Sequence, residues 1–178
     1  MKKRALILSI LFVLFAHSIL IAGESIKYSP RFSLTIGPQI SHSNNKLYSA
    51  DYLSLNVAVE IHPLRFEIKD ILAISLPLNF SYHSLSILNN STFLDEHIDF
   101  KSGICLDKDI SRKFKIFFDV LVGYQYYPRL RSGGDCFETG FGALYYLNSK
   151  NLLGLRPSFL INNSYFSFSF NIIYSFFL

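Results

Sequence analysis

Phe166-Ser167-Phe168-Ser169-Phe170-Asn171-Ile172-Ile173-Tyr174-Ser175-Phe176-Phe177-Leu178 is the last stretch of the 178-residue sequence, with an apolar or aromatic side chain at every second position. Alternation of period two predicts a β-strand with one apolar face. On a soluble protein a terminal strand this apolar would expose Phe166, Phe168, Phe170, Tyr174 and Phe176 to water and offer an edge for pairing. A barrel in a lipid bilayer removes both problems, because the final strand closes against the first and the aromatic face meets lipid.

The other end agrees. Met1-Lys2-Lys3-Arg4 is a short basic segment, and the run from Ala5 to Ala22 is apolar except for Ser9, His17 and Ser18. That is the pattern of a secretory signal peptide. Ala22 and Gly23 before Glu24 place cleavage after about Gly23, giving residues 1–23 as the signal and residues 24–178 as one domain. An uncleaved anchor is the other reading, since 18 residues also reach the length of a spanning helix. The formal net charge of +4 includes Lys2, Lys3 and Arg4, so residues 24–178 hold 14 basic against 13 acidic side chains. No basic surplus is left for nucleic acid. Half of the residues are hydrophobic and 16% aromatic, yet beyond residue 23 no apolar run reaches the length of a helical span. Apolar residues dispersed in this way fit a sheet with a greasy outside and a polar inside.

Seven further segments alternate like the last. Phe32 to Ser41, Leu53 to His62, Leu72 to His83, Ile98 to Leu106, Phe114 to Tyr126, Phe137 to Leu147 and Leu153 to Ile161 each set an apolar face against a polar or small one. The connectors are Ser43 to Asp51, Pro63 to Ile71, Ser84 to His97, Asp107 to Lys113, Pro128 to Asp135, Asn148 to Leu152 and Asn162 to Tyr165. Eight strands of this length suit an all-β, antiparallel, up-and-down transmembrane barrel with both termini at one end. The apolar faces hold no Asp, Glu, Lys or Arg, and they end in Tyr52, Tyr82, Tyr124 and Tyr126 at one rim and Phe114, Tyr145 and Phe176 at the other. Two aromatic girdles of this kind separate a lipid-facing barrel from a periplasmic β-sandwich, which parity alone would also allow. Gly37, Gly103, Gly123, Gly140, Gly142 and Gly154 fall on the inward face, making room in a narrow lumen. Pro38, Pro77 and Pro157 lie within strands, where each removes a ladder hydrogen bond that a closed barrel must absorb locally.

The whole pattern resembles the small eight-stranded outer-membrane β-barrels of the OmpA/OmpX/OmpW kind, as architecture across residues 24–178. Asn171 followed by Phe176-Phe177-Leu178 looks like the carboxy-terminal signal read by the barrel-assembly machinery, with Ile173 and Leu178 standing where Gly and Phe are usual. The resemblance implies an outer-membrane protein that contacts lipid and, during biogenesis, the assembly machinery. It also implies an interior ion network that blocks continuous water passage.

The inward charges are Glu60, Asp99, Asp119 and Glu138 against Lys101, Lys115 and Arg156. A mixed set of this kind reads as a self-neutralising plug, a charge-selective narrow pore being the alternative. Folding the fourth and fifth strands symmetrically about Ile110 pairs Lys101 with Asp119. His42-Ser43, His83-Ser84 and Asp95-Glu96-His97 recur at one rim. Lipid-modifying barrel enzymes carry Ser, His and acid groups at that level. No spacing here reproduces such a motif, and these residues read as solvated loop positions rather than a catalytic or metal site. Cys105 and Cys136 are too few for a disulfide framework and are placed near opposite ends, so no bond between them is expected. The expected role is therefore structural or surface-interacting, without catalysis, cofactor or metal. The loops 43–51 and 84–97 would carry contacts to an extracellular ligand or host factor.

Overall fold

Strict alternation gives every strand one side for lipid and one for the lumen, and the chain forms long strands wherever that alternation persists. In the computed structural model, residues 26–43, 51–68, 72–87, 96–128, 131–162 and 165–178 are described. The strands are β1 (Ile26–Tyr28), β2 (Arg31–Ser43), β3 (Asp51–Ile68), β4 (Leu72–Ile87), β5 (Glu96–Asp109), β6 (Phe114–Tyr127), β7 (Ser132–Tyr146), β8 (Asn151–Asn162) and β9 (Tyr165–Phe177). From β2 to β9 each strand pairs antiparallel with the next, and β9 returns to β2 through pairs such as Phe32↔Phe176 and Ser33↔Ser175. The sheet is a closed barrel of eight staves. The short β1 continues the first stave past Ser29-Pro30 and pairs with the far end of β3, Tyr28 opposite Phe66. The residues assigned to the signal peptide lie outside those described, as do 44–50 and 88–95 of the two expected binding loops.

Closure satisfies the backbone without an edge, and the outer wall stays apolar. Phe80, Phe100, Val122, Phe141 and Ile172 are each about half exposed, from 50% to 58%. A soluble domain does not leave so continuous an apolar belt in water. Inside, side chains from every stave are buried, Leu121 and Leu144 completely.

Several expected boundaries move. Most of the connector Pro63 to Ile71 is strand, because a bulge between Ile61 and Leu64 shifts the phase and alternation then resumes with Arg65 inward. Ser84 to Ile87, Glu96 and His97, and Asp107 to Asp109 are likewise strand rather than loop. Pro38 and Pro157 are each absorbed in one ladder, whereas Pro77 is left out of both of its ladders, on the β3 side at the bulge. The β2–β9 pairing skips Gly37 and Pro38, the β4–β5 pairing skips Leu76 and Pro77, and the β7–β8 pairing skips Arg156 and Pro157. At Pro77 the carbonyl left by the break accepts a hydrogen bond from Ser102 Oγ at 2.9 Å.

Candidate functional site

Among the described residues the lumen is where chemistry concentrates, and each strand delivers its share by parity. Glu60, Asp99, Lys101, Lys115, Asp119, Glu138 and Arg156 are all buried in it. Lys101 Nζ donates to Glu138 Oε2 at 2.5 Å and to Asp99 Oδ2 at 3.1 Å. Arg156 clamps Asp119 with two hydrogen bonds, Nε to Oδ2 at 3.0 Å and Nη2 to Oδ1 at 2.8 Å, and its Nη1 donates to Glu138 Oε1 at 2.8 Å. Glu60 accepts from Asn79 Nδ2 at 3.2 Å and lies 2.6 Å from His62 Nε2.

A second ion cluster fills the end of the barrel at which β9 ends. Arg65 donates to Asp107 through Nη2 at 2.8 Å and Nε at 3.2 Å, Lys115 Nζ reaches the same carboxylate at 2.5 Å, and Arg31 Nη1 reaches it at 3.4 Å. Arg65 also pairs with Glu67, and its guanidinium lies 4.8 Å over the Phe177 ring. Beside this cluster Cys105, Phe117, Leu144, Leu152 and Ile173 form an apolar plug backed by Tyr146 and Phe177. Between Arg156 of β8 and Arg31 of β2, β9 carries no charged side chain. Its hydroxyls meet those of its neighbours, Ser33 with Ser175 at 2.7 Å and Ser158 with Ser169 at 2.7 Å. Asn171, from the expected assembly signal, is buried there and donates to Ser169 Oγ at 2.7 Å. Phe176 lies on the outer wall 5.0 Å from the Phe32 ring, and Leu178 is 71% exposed beyond the strand end.

Two expectations are overturned here. Lys101 does not meet Asp119. The β5–β6 hairpin pairs Asp109 with Lys115, which sets Lys101 opposite Gly123 and Asp119 opposite Cys105. The strand runs two residues beyond Asp107, and the register moves with it. His83 and His97 are not solvated loop residues either, since both are buried in the lumen at 1% and 0% exposure. Alternation puts His83 inside and its neighbour Ser84 on the opposite face, so the two cannot act together. Ser81, His83 and Asp99 do converge, but Ser81 Oγ at 3.2 Å and Asp99 Oδ2 at 3.0 Å both contact the same His83 nitrogen, Nε2. A nucleophilic triad needs the two ring nitrogens divided between hydroxyl and carboxylate.

Arg31, His62, Arg65 and Asp107 were not among the expected lumen charges. Arg31 shares the parity of Ser33, and Asp107 that of Cys105, so carrying each alternation one step further identifies them. Arg65 was hidden by the bulge, which reverses the phase between His62 and itself. Cys105 and Cys136 are buried free thiols, the first level with Asp119 and the second with Gly123.

An apolar outer wall, a closed eight-stave antiparallel sheet and an ion-filled lumen define a transmembrane β-barrel, with the fold of the small outer-membrane barrels of the OmpA/OmpX/OmpW kind. Among solved structures, Neisserial surface protein A superposes with a TM-score of 0.62 at 9% identity, covering 86% of this chain and 99% of that one. Ail, the attachment invasion locus protein of Yersinia pestis, superposes with a TM-score of 0.51 at 9% identity, covering 83% of this chain and 98% of that one. No protein-family model and no curated protein sequence matches the chain.

Proposed function

We propose that the protein is a non-conducting outer-membrane anchor whose business lies at the cell surface. Residues 1–23 direct export, Asn171, Phe176 and Leu178 present the closing strand to the barrel-assembly machinery, and residues 44–50 and 88–95 carry contacts to an extracellular ligand or host factor. The observation that carries this reading is the lumen itself, where two ion clusters and the apolar plug around Leu144 occupy the cross-section. Interiors that conduct ions keep a hydrated path lined by one sign of charge. Here charges of both signs are joined in shared networks. Catalysis has no support from the Ser81, His83 and Asp99 arrangement described above. Reconstitution into planar bilayers tests the reading. Purified barrel should give no stepwise conductance at neutral pH, and reproducible discrete openings would replace the anchor with a narrow pore.

A further inference from the structure

His83 of β4 and His97 of β5 are direct cross-strand partners, both pointing inward just inside the mouth opposite the end of β9. Their rings stack with centroids 4.1 Å apart and planes 12° from parallel. Asp99 stands two positions from His97 on the same face of β5. His83 Nε2 lies 3.0 Å from Asp99 Oδ2, and His97 Nε2 lies 3.9 Å from Asp99 Oδ1. One donor atom from each residue falls within 4.8 Å of the others. Tetrahedral zinc, with bonds of about 2.0 Å, holds its ligand atoms about 3.3 Å apart. Small side-chain rotations bridge that difference.

Two independent features ask for a cation at this place. Among the described residues, the ion-paired chain Asp99, Lys101, Glu138, Arg156, Asp119 joins three carboxylates to two cations, with Asp99 at its end. The cluster at the other end is balanced, Arg31, Arg65 and Lys115 facing Glu67, Asp107 and Asp109. The chain beside the two histidines therefore holds one more carboxylate than cations among the described residues, and uncompensated buried charge is costly. Hydrogen bonding points to the same spot. Asp99 uses Oδ2 for both Lys101 and His83, whereas Asp99 Oδ1 and His83 Nδ1 are buried and have no hydrogen-bond partner among the described residues.

We propose that His83, His97 and Asp99 form a binding site for a divalent transition-metal ion, zinc in particular. Asp99 Oδ1 and one nitrogen from each imidazole supply three ligands, and water completes the coordination. Two imidazoles and a carboxylate suit zinc and exclude magnesium or calcium, which require oxygen donors. The bound ion would tie β4 to β5 and offset the extra carboxylate of the adjoining chain.

The test is zinc titration of tag-free, chelator-stripped protein folded in detergent micelles, read by competition with a chromogenic chelator. Wild type should bind one equivalent. The His83→Gln/His97→Gln double variant should lose affinity by about 100-fold or more, while His42→Gln leaves it unchanged. Zinc should raise the melting temperature of wild type and leave that of Asp99→Asn unmoved, with magnesium inactive on both. X-ray absorption at the zinc edge of the wild type needs no variant to fold, and it should report two imidazoles with oxygen ligands. Absence of stoichiometric binding, undiminished affinity in the double variant, or sulfur or all-oxygen ligation would overturn the proposal.

Discussion

Arg156 is the residue on which the middle of the lumen depends most heavily. It neutralises Asp119 through both oxygens and shares Glu138 with Lys101, so its loss strands carboxylates in a region closed to water. Arg156→Ala should therefore cost about 3–5 kcal/mol, the penalty for breaking a buried pair from one side. Double-mutant cycles on urea unfolding in lipid or detergent separate the true partners. Arg156 with Asp119, and Lys101 with Glu138, should couple by more than about 1 kcal/mol, and Lys101 with Asp119 by less. Parity made the inward face of Lys101, Asp119, Glu138 and Arg156 legible in the sequence, because adjacent residues on a strand must point opposite ways. It could not name their partners. Partnership follows register, and register here is fixed by a turn over 110–113 that begins three residues later than alternation alone indicated.

At the scale of single strands, inward glycines let neighbouring staves come close, one of them beside a break in the ladder. Opposite the Pro157 interruption, Gly142 of β7 lies so near β8 that a Cβ would stand 2.1 Å from Leu155 O and 2.8 Å from the Phe117 ring. Gly142→Ala should destabilise by about 1–3 kcal/mol, the range for forcing a methyl into a packed interior. Ala143→Gly, on the exposed face of the same strand, should cost less by the same unfolding measurement. The sequence marked Pro38, Pro77 and Pro157 as trouble for a closed sheet, and each does interrupt pairing, Pro38 and Pro157 on one side and Pro77 on both. The remedy was less legible. A bulge beside His62-Pro63 lets β3 run on to Ile68, and the phase change at that bulge turns Arg65 into the lumen.

For the whole molecule the dimensions of the outer wall decide its setting. The outward residues of β6 run from Phe114 to Tyr126, about 40 Å along the strand at about 3.3 Å per residue. Tilted by about 40°, as small barrels are, that face becomes a belt about 30 Å high, close to the hydrocarbon thickness of a bilayer. Closure and polarity were legible because eight alternating segments leave no other way to satisfy their backbones in lipid. The clustering of lumen charge into two groups was not, since it depends on how far each strand is staggered against the next. Removing Phe176 to Leu178 should prevent accumulation of folded barrel in the membrane, because it deletes the β2-paired end of the closing strand along with the expected assembly signal. Immunoblotting of membrane fractions from a strain making the truncated chain measures that outcome, and normal levels of folded protein would argue against it. The most direct measurement of the central claim is electrophoretic mobility with and without boiling, made on protein recovered from separated envelope fractions. A closed transmembrane barrel should resist carbonate extraction, follow the outer membrane, and migrate faster unheated than after boiling. A single mobility at both temperatures, together with release by osmotic shock, would contradict it.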